Sequence, residues 1–316
     1  MTRLHFNRRL LASALRCVVP ASLALLIGCA SAPKTATGKT EVHIKEAVAL
    51  LTKAPDADSL AAAALLNLEG HPERAWPLMA RAVAKAPERP DLVWLEIEIC
   101  QVTVHCEPAP FETRLQSLDS ANGFGWMGSL ARATAAKDDA AGLVALAAIG
   151  RSERFDIYWT SLNARLALAA IRTKKMSFLE AQQTVVGGLV SRILPAYGIL
   201  SGACKQDRLS DPAVLADCRG VANSLEHGDT YLTEMIGVQI AQNAWPENAP
   251  EWQAAAWDRK VYEYTSGRWV KVTSGLAEAA MAERYLLLCA QYHREQEVWR
   301  AQLMDAGERP DPPAEQ

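Results

Sequence analysis

From about residue 45 to residue 304, apolar side chains return every three or four positions, the spacing that gives a helix one buried face. Glycine and proline fall mostly between these stretches. Residues 58–68 read as a helix that Gly70 breaks, and residues 72–86 as a second, opened by Pro72 and followed by Pro87. Pro90 opens a third helix, carried to about residue 102 although residues 92–104 hold enough β-branched side chains to pass for a strand. Asp138 and Asp139 begin another. Residues 155–172, 178–194, 212–225, 230–244 and 276–304 each show an apolar face at helical spacing, with Asp211 and Asp229 standing where helix caps belong. Between residues 245 and 269 aromatic side chains are dense. A helix is expected there as far as Tyr264, with a hairpin around Ser266-Gly267 as the alternative for residues 261–272. Residues 30–40 are small and polar without an apolar face, which predicts a flexible spacer, and residues 307–316 are expected to be disordered. The pattern as a whole predicts an all-α chain.

Part of the pattern repeats. In residues 72–86 and just beyond, Ala75, Met79, Ala82 and Pro87 fall at the small, bulky, small and proline positions of a tetratricopeptide repeat, and Ala63 and Leu66 suit its first helix. Ser59 stands where the consensus has tryptophan. Lys53-Ala54-Pro55 and Lys85-Ala86-Pro87 lie about one period apart. A second unit opens at Pro90 with Trp94 next to the consensus tryptophan position, and is interrupted by residues 100–106 and by Pro108 and Pro110. In the third unit residues 118–122 resemble the usual inter-repeat turn, and Trp126 stands at the tryptophan position. Residues 45–152 therefore resemble degenerate tetratricopeptide repeats. The resemblance implies a stack of helical hairpins, an α-solenoid, continued by a non-repeat helical region over residues 153–306.

The N-terminus carries a different signal. Arg3, Arg8, Arg9 and Arg16 precede an uncharged run from Cys17 to Gly28, the layout of a secretory signal and too short to span a bilayer. Leu26-Ile27-Gly28-Cys29 resembles the bacterial lipobox, which implies cleavage after residue 28 and lipid on Cys29. Ala30, rather than aspartate, implies the outer membrane of a Gram-negative cell, periplasmic face. Residues 29–44 would then tether the folded body.

Charge narrows the partners. Cleavage after Gly28 removes four arginines and no acid, taking the formal net charge from −3 to −7, which argues against nucleic acid as a partner. Compartment settles how the cysteines are read. In an oxidising periplasm the economical disulfide pairs are Cys100 with Cys106 and Cys204 with Cys218, leaving Cys289 as a buried thiol. A metal reading of Cys100, His105 and Cys106 lacks a fourth ligand, and no cofactor is implied.

No catalytic motif stands out. His293 has no second histidine at zinc-hydrolase spacing, and both Gly-x-Ser-x-Gly and Cys-x-x-Cys are missing. Gly38-Lys39-Thr40 ends like a phosphate loop, but Pro33 stands where its first glycine belongs. Glu96 and Glu98 point apart on a helix and are expected on a solvated face. The chain is thus expected not to be an enzyme but a lipid-anchored helical scaffold that binds another cell-envelope protein through an open groove over residues 45–152, free of buried, perturbed acids. The alternative is a glycan-binding protein or enzyme of the cell wall, using Trp252, Trp257 and Trp269 as a stacking surface.

Overall fold

The computed structural model describes residues 38–275 and 278–313. The expected signal peptide, the lipidation site Cys29 and tether residues 30–37 lie outside the described residues. The described residues form fourteen helices: α1 (Gly38–Leu51), α2 (Ala57–Leu68), α3 (Pro72–Lys85), α4 (Pro90–Val102), α5 (Ala109–Leu118), α6 (Met127–Ala136), α7 (Asp139–Gly150), α8 (Trp159–Arg172), α9 (Phe178–Ala203), α10 (Pro212–Glu226), α11 (Tyr231–Ala244), α12 (Pro250–Ser274), α13 (Glu278–Cys289) and α14 (Glu295–Asp305). A 3-10 turn, Gly123–Trp126, leads into α6. Among the described residues there is no strand, only one isolated bridge between Asn122 and Arg154. From Val42 onward the chain is one unit, so the repeat-like region and the C-terminal region are not separate bodies.

Local chemistry accounts for most helix boundaries. Pro72, Pro90 and Pro212 begin α3, α4 and α10, where a missing N–H leaves no bond unmade. Asp56, Asp138 and Asp211 accept from the first-turn amides of α2, α7 and α10, and Ser177 forms a reciprocal capping box with Glu180 at α9.

Five expectations need correction. The tether is helical from Gly38, because Ile44, Ala47, Val48 and Leu51 already keep helical spacing and Ala47 and Leu51 are buried. Residues 155–158 are a buried, non-helical segment ahead of α8 rather than its first turn. α12 runs ten residues past Tyr264 with no hairpin. Tyr262 and Thr265 bury on its inner face, while Gly267 faces open space. Residues 276–304 do not form one helix. The chain turns between Cys289 and Glu295, whose amide donates to the Asp229 carbonyl at 2.8 Å. Finally, residues 307–313 are tied to the folded body: Thr265 Oγ1 donates to the Pro310 carbonyl at 2.9 Å, Arg268 pairs with Glu308, and Arg300 pairs with Asp311.

The core is organised around α9. Ala181, Val185, Leu189, Ile193, Tyr197 and Leu200 recur along one side of this 26-residue helix and are all buried. α9 is long and apolar enough to cross a membrane by composition, yet this face lies in the core, against α2, α6, α8 and α13. α2 is buried on every side, from Ser59 through Leu65 and again at Leu68. Its four consecutive alanines, Ala61–Ala64, let α3, α8 and α9 approach closely. The open groove expected over residues 45–152 is therefore absent along α2, where the chain's own helices α8 and α9 lie.

The second layer, α7, α10, α11 and α12, packs in succession. α7 and α10 touch backbone to backbone: a Cβ on Gly220 would lie 2.5 Å from the Gly150 carbonyl oxygen. Both expected cysteine pairs are bonded, Cys100 to Cys106 and Cys204 to Cys218, and Cys289 is free and buried.

Candidate functional site

Two polar clusters stand out from this apolar interior. The first joins four loops around the start of α8. Asp229, fully buried, accepts the amides of Ile157 at 3.0 Å and Trp159 at 2.7 Å. It therefore caps α8, a helix distant in sequence, while the expected cap of α11 is supplied instead by Thr230, whose hydroxyl accepts from Thr233. Asn122 is the hub on the opposite side. Its Oδ1 accepts the amides of Phe124 and Asp156, and its Nδ2 donates to the Asp156 carbonyl and to the Tyr158 hydroxyl. That hydroxyl donates in turn to Asp119 at 2.8 Å. Held this way, Tyr158 adopts a left-handed conformation, φ 58°, which a bulky side chain rarely takes without such anchoring.

Charges complete this junction. Arg154 bridges Asp156 at 2.6 Å and Asp119 at 2.5 Å, and His293 Nε2 lies 3.1 Å from Asp156 Oδ2. The hydrogen bond to Asp156 raises the His293 pKa above its usual value. Burial, and then the charge of Asp156, push Asp229 upward. Nearby, burial lifts the carboxyl of Glu295 to about 7 and that of Glu234 to about 7, the latter against the pull of Arg294. Trp159 Nε1 donates to Tyr285 Oη at 3.0 Å, and burial pushes the adjacent Cys289 thiol up to about 12, leaving it protonated and unreactive. The Thr160 hydroxyl, on α8, donates to the His293 carbonyl at 2.6 Å. The arrangement positions four loops; it does not present a nucleophile to a base.

The second cluster lies on the repeat-like helices, and it reverses the expected solvation of Glu96 and Glu98. Glu96 is 4% exposed with Oε2 enclosed and unpartnered, and burial raises its pKa to about 7. Glu98, also in α4, is raised to about 7 by burial, opposed by Arg192 of α9 and reinforced by Glu112 of α5. These glutamates do point apart, but both sides of α4 are covered. The aromatic chain Trp94–Phe124–Phe155–Tyr197, with centroid separations of 6.0, 5.3 and 6.2 Å, ties α4 to α9 across the core. The expectation of a repeat region without buried, perturbed acids therefore does not hold.

The three tryptophans named from sequence share α12 but no cleft. Trp257 is 41% exposed and Trp252 half-buried, five residues apart and so on different faces. Trp269 stacks on Trp299 at 4.3 Å with planes 6° apart and donates from Nε1 to Gln302, so one ring face is already taken. Two shallow depressions, of about 380 and 160 Å³, adjoin near the start of α7, sharing Asp139, Leu143 and Arg208. Among the described residues no group of three or more His, Cys, Asp or Glu side chains is arranged to hold a metal ion.

Sequence reasoning missed Asn122, Asp156, Asp229 and His293 as one constellation because each lies in a different loop. The Asn122-Gly123 turn signal marked the place without the role. No protein-family description, characterised protein or solved structure matches the chain.

Proposed function

We propose that this chain is a lipid-anchored helical scaffold of the bacterial outer membrane, facing the periplasm and binding another cell-envelope protein. The observation that carries the reading is the pair of disulfides, Cys100–Cys106 and Cys204–Cys218. Disulfides of this kind persist in oxidising compartments, which is where a lipobox at Leu26–Cys29 would send the chain. The consecutive packing of α2 on α3, α3 on α4 and α4 on α5 supports a tetratricopeptide-like hairpin stack. Because α8 and α9 lie over α2, a partner meets the outer helix faces rather than an inner groove. The scaffold itself performs no chemistry; it holds its partner beside the membrane that Cys29 anchors.

Crosslinking in intact cells, followed by isolation of the Cys29-anchored protein and mass spectrometry, tests this. One dominant envelope protein, lost when exposed positions of α3 are altered, supports the reading. Recovery of cell-wall fragments without a protein partner sinks it in favour of glycan binding through α12. Separately, Cys29→Ala should abolish lipid labelling, and labelling that persists would remove the anchor from the argument.

A further inference from the structure

Two turns of the repeat-like region are built alike. Lys53-Ala54-Pro55 follows α1, and Lys85-Ala86-Pro87 closes α3 about one repeat period later. An arginine from the next helix but one reaches back to each turn. Arg81 of α3 donates to the Thr52 carbonyl at 3.4 Å, and Arg114 of α5 donates to the Pro87 carbonyl at 2.6 Å. Lys85 follows Arg81 by one helical turn on the same face of α3 and stands two residues before Pro87. Lys53, Arg81, Lys85 and Arg114 are therefore linked in one row from the end of α1 across α3 to α5. Lys53, Arg81 and Lys85 are exposed. None of the four lies within ion-pair distance of a carboxylate among the described residues, whereas Arg89, Arg132, Arg154 and Arg294 are each paired. Glu88 is the only acid within the two turns, and Asp56, next to Pro55, is taken up by the Ser59 amide and Arg172.

Helix capping explains only part of this. A cation at a helix C-terminus offsets the macrodipole, but one per end suffices, and a guanidinium that gives one N–H to a carbonyl keeps its other donors for solvent or a ligand. Like charges gathered without acids repel one another, on a chain that is acidic as a whole. An anion relieves the repulsion, and carboxylates match the planar fork of arginine. An anionic membrane or duplex would press against the acidic remainder of the body as well as against this row, whereas a peptide segment meets the row alone. Exposed leucines stand near both ends, Leu50 beside Lys53 and Leu118 one turn beyond Arg114, where apolar side chains of a peptide can cover them. We propose that Lys53, Arg81, Lys85 and Arg114 form a docking row for an acidic, extended segment of a partner protein, whose carboxylates meet one turn of the repeat after the other. The proposal deepens the scaffold reading and rests on it for the partner being an envelope protein; the row itself can be tested without that partner.

Fluorescence anisotropy decides the matter, with the full chain carrying Cys29→Ala titrated into a labelled peptide of alternating glutamate and glycine. The glutamate peptide should bind at least about tenfold more tightly than its glutamine counterpart, and raising salt from about 50 to about 500 mM should remove most of that advantage. Lys53→Gln combined with Lys85→Gln should weaken the glutamate peptide by roughly tenfold, while Lys271→Gln, which removes a cation from α12, should leave it unchanged. Far-UV circular dichroism establishes that each variant is folded. The proposal is overturned by no binding at about 1 mM protein, by equal binding of the glutamine peptide, or by a loss in Lys271→Gln as large as that in the double variant. Displacement of the bound peptide by vesicles of phosphatidylglycerol, and not of phosphatidylcholine, would also overturn it and assign the row to a lipid surface. Crosslinking in cells separates this failure from that of the scaffold reading. An envelope partner retained by the double variant removes the row and leaves the scaffold, whereas peptide binding with no envelope partner recovered keeps the row and removes the scaffold.

Discussion

Replacing Glu96 by glutamine should stabilise this protein, and the gain should grow with pH. Glu96 is 4% exposed, its Oε2 has no partner, and the only charge that counters its burial is Arg114. Its carboxyl therefore ionises at about 7 in the fold against 4.5 ordinarily. A carboxyl raised in the folded state favours folding while it stays protonated. That contribution is complete below pH 4.5 and is lost as the pH rises through 7, reaching roughly 3 kcal/mol by pH 8. Glutamine keeps the shape and cannot ionise, but it buries amide hydrogens that need acceptors, which offsets about 1–2 kcal/mol. The expected net gain is about 1–2 kcal/mol at pH 8, with little gain or a small loss at pH 5. Urea unfolding of both proteins at the two pH values measures the difference directly, the slopes being compared to exclude a change in the unfolded state. A shift of the midpoint equal at pH 5 and pH 8, or destabilisation at pH 8, would refute the assignment of an enclosed, unpaired carboxyl.

Further substitutions probe the fold. Asp229→Ala leaves the Ile157 and Trp159 amides without acceptors inside the core and should cost about 2–4 kcal/mol in urea unfolding; a loss below about 1 kcal/mol would mean that water reaches the junction. Gly220→Ala must push α10 away from the Gly150 carbonyl and should lower stability by about 1–3 kcal/mol, whereas alanine at Gly187, which has open space around it, should be neutral or mildly stabilising. Removing the Cys204–Cys218 bond by paired serine substitution frees a 14-residue separation and should cost about 3 kcal/mol; an unchanged thermal midpoint would show the bond to be irrelevant to the folded body.

Helix type and order were legible because they rest on local chemistry: Pro72, Pro90 and Pro212 open helices, and alanine-rich stretches with apolar residues at three- and four-residue spacing sustain them. The cysteine pairing was legible for a similar reason, since close spacing leaves few arrangements once an oxidising compartment is expected. What sequence did not disclose is who lies beside whom. Glu96 and Glu98 occupy positions that look solvated on an isolated helix, and only the neighbours of α4 decide otherwise. Asp229 has the local pattern of a cap for α11, yet its carboxylate serves α8, a choice made by the approach of two loops. The anchored tail shows the same limit: proline, charge and low apolar content predict disorder, but Arg268, Arg300 and Thr265 supply partners from outside the segment.

The placement of α9 governs how the chain can come together. In an open repeat array each unit rests on its neighbour, so the array can grow or fray one unit at a time. Here α2 gains its last neighbours only when α8 and α9, made much later, return to it. The early helices must wait with alanine and leucine faces bare, a route of high contact order that folds slowly and exposes the chain to aggregation until closure. A cut between residues 152 and 153 would accordingly yield not two smaller proteins but two fragments, each missing a wall that the other carries.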